Sequence, residues 1–262
     1  MPKWMTFLAL AAALAGALPA QVFEAGTLVE WKAERVLTLG VNLHHVQGID
    51  IEQDRLWVSS VDARKSKGYL SLMHARTGKL LRQVEVQQGK RIHPGGLQLD
   101  GESLWLPVAE YDRDGPTTIE RRNKKTLALE SSFDVADHIG CVAAGPGILM
   151  GGNWDSKFIY SWSKDGRELT KSPNPGRTGF QDLKWDNGVL LGSGNASRDT
   201  QASEAGAVEW WNPNGWRLVR RFTAGKTDRG APFTNEGMAW RGGKLYLLPE
   251  DSPSRLFVMS PR

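Results

Sequence analysis

One short pattern recurs five times along the chain, and this recurrence limits the possible folds more than any other feature. The copies are HHVQGIDI (44–51), HPGGLQL (93–99), HIGCVAA (138–144), FQDLKW (180–185) and NEGMAW (235–240). Each has a polar lead-in, a small or acidic residue, and a brief apolar alternation. The anchor positions Gly48, Gly96, Cys141, Asp182 and Gly237 lie 48, 45, 41 and 55 residues apart. A period of that size is the signature of four-stranded units arrayed around an axis.

The stretches between anchors supply the other strands. A second strand follows each copy: DRLWVSS, ESLWLPVAE, GILMGGNW, GVLLGSGN and KLYLLPED. A third comes after a polar loop: GYLSLMHART, TTIERRNKKT, KFIYSWSKDG, GAVEWWNPNG and SRLFVMSP. Tight turns at Thr77-Gly78, Asp165-Gly166 and Asn214-Gly215, and NKKT in the second copy, reverse the chain into a fourth. KLLRQVEV, LALESSFDV and WRLVRRFT suit that place, whereas RELTKSPNP suits it poorly. The fifth copy ends one strand short, and AERVLTLG (33–40) has the alternation to complete it. The expected fold is therefore all-β: a five-bladed β-propeller with four-stranded blades, its last blade closed by an N-terminal strand. Eleven Trp against four Tyr fit such half-buried pleated surfaces. Cys141 is the single cysteine, so ring closure rather than a disulfide must hold the ends, and in GCVAAG it reads as a small buried hydrophobe.

The N-terminal stretch MPKWMTFLALAAALAGALPAQVFE places one Lys before an apolar, Ala-rich run that ends in small residues. It reads as a secretory signal, residues 1–20, cut after Ala20, with Ala17 as the other candidate and an uncleaved anchor as the alternative. Residues 21–262 then form one propeller domain, periplasmic or secreted, with no stable membrane insertion after cleavage. Removing Lys3 takes the formal charge from +4 to +3. Basic residues are nowhere interleaved with aromatics along one element, RLVRR (217–221) being the densest patch, so nucleic acid is not an expected partner.

In such a ring, equivalent residues at the starts of the inner strands converge on one mouth of the axial channel. His45, His93 and His138 each stand three places before an anchor; Gly179 and Thr234 take that place in the last two copies. The pre-anchor residues are Gln47, Gly95, Gly140, Gln181 and Glu236, and loops opening on the same face bring Asp62, Glu110, Asn153, Asp155, Asn195, Glu250 and Asp251. Three imidazoles with an open position suit a catalytic metal such as Zn; the same residues could instead bond neighbouring backbone or line a solvated tunnel. His44 and His74 read as structural. Glu236, the one pre-anchor carboxylate, is the candidate general acid or base, with pairing to Arg or metal ligation as alternatives. Gln47, Gln181, Glu110, Asn153, Asp155, Asn195 and Asp251 are the candidate ligand-binding residues. YDRDG (111–115) has too few oxygen ligands for an EF-hand loop and reads as a turn. GxSxG, HExxH, CxxC and GxxxxGK[ST] motifs are absent.

The pairing of HVQGID with HPGG resembles a family of exported propeller proteins known as a domain of unknown function. NEGMAWRGGKLYLLPEDS resembles the repeat of the six-bladed gluconolactonase and paraoxonase group. That resemblance implies a Ca²⁺ in the axial tunnel, on Glu236 and Asp251 with Asn153 and Asn195 as further oxygen ligands. HVQGI and NEGMAW…RLFVMS are similar to the five-bladed plant-type glutaminyl cyclases, although Gly95-Gly96 stands where that family carries its Glu-Gly. The expected function is an exported propeller binding a small polar molecule in an axial His/carboxylate pocket with one divalent metal, Zn or Ca, and hydrolysing an ester or lactone-like bond. The alternative is a non-catalytic recognition propeller for a sugar or a protein.

Overall fold

The computed structural model describes residues 31–195 and 206–261. The expected signal segment, residues 1–20, lies outside the described residues. Strand β1 (Trp31–Thr38) comes first in the chain but belongs to the last blade. The first blade is β2 (His45–Glu52), β3 (Arg55–Asp62), β4 (Lys67–His74) and β5 (Leu80–Glu85). In the second, the inner strand is split into β6 (Arg91–Pro94) and β7 (Gln98–Asp100), followed by β8 (Ser103–Glu110), β9 (Thr117–Asn123) and β10 (Leu129–Val135). The third holds β11 (Ile139–Gly145), β12 (Ile148–Asn153), β13 (Phe158–Ser163) and β14 (Glu168–Pro173). The fourth holds β15 (Gly179–Asp186), β16 (Val189–Asn195), β17 (Gly206–Asn212) and β18 (Arg217–Ala224). The fifth is β19 (Glu236–Arg241), β20 (Lys244–Pro249) and β21 (Arg255–Pro261), with β1 on its outer edge. The fold is thus the five-bladed, all-β propeller expected, closed by an N-terminal strand that begins two residues earlier than the alternation suggested.

RELTKSPNP is a correction. Most of it forms β14, paired antiparallel with β13 from Phe158–Pro173 to Trp162–Glu168. An outermost strand is held by its backbone ladder on one edge and faces water on most sides, so it needs no apolar alternation; β14 is exposed almost throughout.

Apolar side chains gather between blades rather than within them. Trp57, Leu70, Leu97 and Leu104 fill the gap between the first two blades, and Trp105, Ile139, Val142 and Trp162 the next. Cys141, Phe180 and Leu183 lie between the third and fourth, Leu191, Trp210, Met238 and Phe257 between the fourth and fifth. Val46, Ile49, Leu248 and Leu256 complete the ring. Cys141 is fully buried with its thiol pushed up to about 12 by burial, consistent with a packing role.

The anchors are where the inner strands crowd the axis. A Cβ on Gly48 would lie 2.5 Å from Gly96 Cα, and one on Gly96 would lie 2.6 Å from the Asp182 carboxylate and 2.7 Å from Cys141 Cβ. Only small residues, or a side chain that exploits the crowding, fit there. Asp182 does the latter. One of its oxygens accepts the Ile49 and Met238 amides, both at 3.0 Å, and the other accepts Leu183 N–H at 2.9 Å and Lys184 Nζ at 2.5 Å, tying three blades at the axis. Asp50 similarly accepts Leu99 N–H at 2.8 Å, and Gln98 Oε1 accepts Ala144 and Trp185 N–H at 2.9 and 2.7 Å. These staples satisfy amides that sheet pairing leaves open.

Candidate axial site

The residue before each anchor is aimed by an irregularity of the inner strand. The ladder skips Gln47 between Val46 and Gly48, Gly140 between Ile139 and Cys141, and Gln181 between Phe180 and Asp182. In the second blade the strand breaks around Gly95. In the fifth, Glu236 opens β19 with φ at +104°, a strained value for a residue other than Gly. A bulge turns its extra residue out of the alternation. The repeated motif thus leaves space at Gly95 and Gly140 and delivers Gln47, Gln181 and Glu236 to the axial mouth. There they line a cavity of about 170 Å³ with His45, His93 and His138. Asn153, Trp154 and Asp155 contribute from one side, and Tyr111 and Phe180 complete the wall.

Among the described residues, the one set of three ligand-type side chains close enough to share a cation is His45, Glu236 and Glu250, whose ligand atoms lie within 4.8 Å of one another. Two ligands of one cation, each about 2.0–2.6 Å from it, stand no more than roughly 5 Å apart. His45 Nδ1 donates to Glu250 Oε1 at 3.0 Å. That bond raises the His45 pKa and lowers that of Glu250. Glu236 is 5% exposed, and burial pushes its pKa up to about 8, with Glu250 and Asp182 adding to the rise and His45 opposing it.

His93 and His138 share the cavity but lie outside that set. Their ring centroids are 5.3 Å apart. Burial, with the neighbouring imidazoles adding to it, depresses His93 to about 3, and its Nδ1 is buried without a hydrogen-bond partner among the described residues. Burial also lowers His138, whose Nδ1–H donates to the Asp112 carbonyl at 2.8 Å, so the neutral ring keeps Nε2 as its acceptor.

The expected ligand-binding residues divide. Gln47 and Gln181 line the cavity with no side-chain hydrogen-bond partner among the described residues. Asn153 and Asp155 also line it, but Asn153 Nδ2 donates to Asp137 at 3.2 Å and its Oδ1 accepts Phe158 N–H, while Asp155 pairs with Arg113 at 2.5 Å. Glu110 and Asn195, at the ends of β8 and β16, are not in the cavity wall. Asp251 turns away into ion pairs with Arg255 and Arg229. The Ca²⁺ set implied by the gluconolactonase resemblance is therefore not assembled, and the ring has five blades rather than six. Glu250, next to Asp251 in the chain, instead bonds His45 at the edge of the cavity. Two larger clefts, about 520 and 480 Å³, lie beside it; Glu250 and His44 line both, and His45 and Asp62 line the second.

Without a bound cation, the signs of these shifts set a pH dependence of stability. Glu236 is protonated in the folded protein up to about pH 8 and ionises near 4.5 when unfolded, so its contribution is complete below pH 4.5 and is lost as pH rises to 8. His45, also raised, acts in the same direction. His93 acts oppositely, but its contribution is complete above 6.5, its ordinary value. Chelator-treated protein should therefore lose about 2 kcal/mol between pH 6.5 and 8, from Glu236 alone. That corresponds to a melting temperature roughly 5 °C lower. Glu236→Gln should remove most of this slope in a calorimetric scan; an unchanged slope in the variant would refute the assignment.

Fold and site together define a β-propeller with an axial His/carboxylate group. The chain belongs to a family of unknown function, DUF6454, which matches residues 5–174. No curated protein matches the sequence. Among solved structures, the glutaminyl cyclase of Myxococcus xanthus superposes with a TM-score of 0.66 at 16% identity, over 88% of this chain and 97% of that one. The WD40 domain of Neurospora crassa Pan2 superposes with a TM-score of 0.52 at 9% identity, over 90% and 97%. At such identities the likeness is one of fold. Among the described residues, no helix is long and apolar enough to cross a membrane.

Proposed function

We propose that the axial pocket binds a small polar molecule over a divalent cation held by His45, Glu236 and Glu250, and hydrolyses an ester or lactone-like bond there. The supporting observation is Glu236 itself. A carboxyl group that is buried, next to a second carboxylate and on strained backbone is costly to ionise. A cation shared with His45 and Glu250 offsets that cost. It would supply Lewis-acid polarisation of a carbonyl and an acidified water. Gln47 and Gln181, with unused amides, orient the polar substituents of the ligand, and His138 accepts a proton at Nε2. The expected export to the periplasm or medium is part of this reading.

The test is hydrolysis of p-nitrophenyl acetate and of γ-butyrolactone by protein loaded with Zn²⁺ or Ca²⁺. Chelation or Glu236→Gln should each lower turnover at least about a hundredfold while the protein stays folded. Rates unaffected by both would contradict the hydrolase. Turnover that survives chelation but not Glu236→Gln would make Glu236 a proton carrier rather than a ligand. No turnover despite stoichiometric ligand binding would favour the recognition propeller.

A further inference from the structure

The wall opposite the carboxylates is built from rings, and one short loop assembles it. Residues 111–115, YDRDG, lie between β8 and β9, and Tyr111 lines the cavity. Tyr111 sets its ring edge-on to His93, centroids 4.7 Å apart; Asp112 holds His138 through its carbonyl; Arg113 lies over Trp154 at 5.1 Å and pairs with Asp155. Trp154 packs edge-on to His138 at 4.5 Å and lies nearly parallel to His93 at 6.4 Å. The loop is itself fixed: Asp112 Oδ1 accepts Asp114 N–H and its carbonyl accepts Gly115 N–H. The result is a preformed aromatic surface, on which Tyr111 remains 53% exposed at the mouth.

We propose that the ligand of the axial pocket carries a planar aromatic ring that packs on Tyr111 and Trp154, with its carbonyl or other polar end directed to His45 and Glu236. The pocket is two-sided: polar groups from the first and fifth blades face rings from the second and third across about 170 Å³, room for one ring and a short polar substituent but not for a polymer. Tyr111 is then the specificity-determining residue, because it is the ring least committed to protein packing. This inference rests on the axial pocket being the ligand site, but not on a metal or on turnover.

Benzamide and cyclohexanecarboxamide share the amide and differ in planarity and π-character, so they serve as probes in calorimetric titrations of the full chain. Benzamide should bind roughly tenfold more tightly. Tyr111→Ala and Trp154→Ala should each remove most of that preference, whereas Tyr111→Phe should keep it, and thermal melts identify any variant that fails to fold. Equal binding of the two amides, binding of neither, or a preference indifferent to Tyr111→Ala and Trp154→Ala in folded protein would overturn the proposal. Repeating the titration with Glu236→Gln separates the two readings. A retained ring preference there, with no metal bound to the unmutated protein, removes the metal site and leaves the aromatic site standing.

Discussion

Deleting residues 31–38 should convert the protein into an aggregating species, or lower its melting temperature by roughly 10 °C or more. The deletion removes β1, which pairs along β21 from Trp31–Pro261 to Thr38–Arg255. Two losses combine. The first is the backbone edge: β21, whose Leu256, Phe257, Val258 and Met259 are buried, becomes an open strand of high β-propensity, the arrangement that templates edge-to-edge association. The second is Trp31, which sits with Trp210 at 6.5 Å and Trp240 at 5.9 Å and locks the closing strand to the seam between the fourth and fifth blades. Removing a large aromatic from such a cluster costs about 3–5 kcal/mol, and in a domain of this size each kcal/mol is worth roughly 2–4 °C. Arg35, which donates to the Ala75 carbonyl at 2.6 Å, and Glu34, paired with Lys244, are lost as well. Light scattering and a thermal melt on the truncated protein check this. A soluble monomer melting where the intact chain does would show that the ring does not depend on its N-terminal strand.

The second large effect is expected at the axis. Asp182→Ala should destabilise the protein by about 3–5 kcal/mol. Burial pushes Asp182 up to about 6, with Lys184 and the amides pulling the other way, so at neutral pH it is a carboxylate. Its removal strands the amides of Ile49 and Met238, from two other blades, together with the buried ammonium of Lys184. Paired Asp182→Ala and Lys184→Met changes should recover part of the loss, because the uncompensated charge disappears with the second substitution. Denaturant unfolding of the single and double variants measures both quantities. A loss under 1 kcal/mol for Asp182→Ala would mean that the blades are held without this staple.

Much of the architecture was legible in the chain because a propeller repeats its local instructions. Gly48, Gly96 and Gly237 mark inner strands for a reason that acts within each copy, the lack of room for a Cβ at the axis. AERVLTLG was legible as the missing strand because one blade was short. β14 was not, since an outer strand carries little apolar signal for a pattern to detect. In the site, the convergence of His45, His93, His138 and Glu236 followed from register alone, the histidines three places before their anchors and Glu236 one place before. The choice between Glu250 and Asp251 did not, for these neighbours leave the end of β20 in different directions, and the Arg255 and Arg229 guanidiniums claim the second. Tyr111 and Trp154 were passed over because both sit in segments read for their polar residues, YDRDG and NWD. An aromatic beside an expected turn at the channel mouth is the signal that would have found them. The staples at Asp50, Gln98 and Asp182 join residues far apart in sequence, and no local pattern announces such partners.

The most direct measurement is calorimetric titration of chelator-treated protein with Zn²⁺ and Ca²⁺ at pH 7.5. The account predicts one stoichiometric site for at least one of these ions. Its affinity should fall as the pH drops below about 8, where Glu236 takes up a proton, and fall further as His45, held above the ordinary imidazole value, protonates. It should drop at least about tenfold in Glu236→Gln and in His45→Ala, while His44→Ala leaves it unchanged. Absence of a stoichiometric site for either ion, or a site indifferent to both Glu236→Gln and His45→Ala, would contradict it.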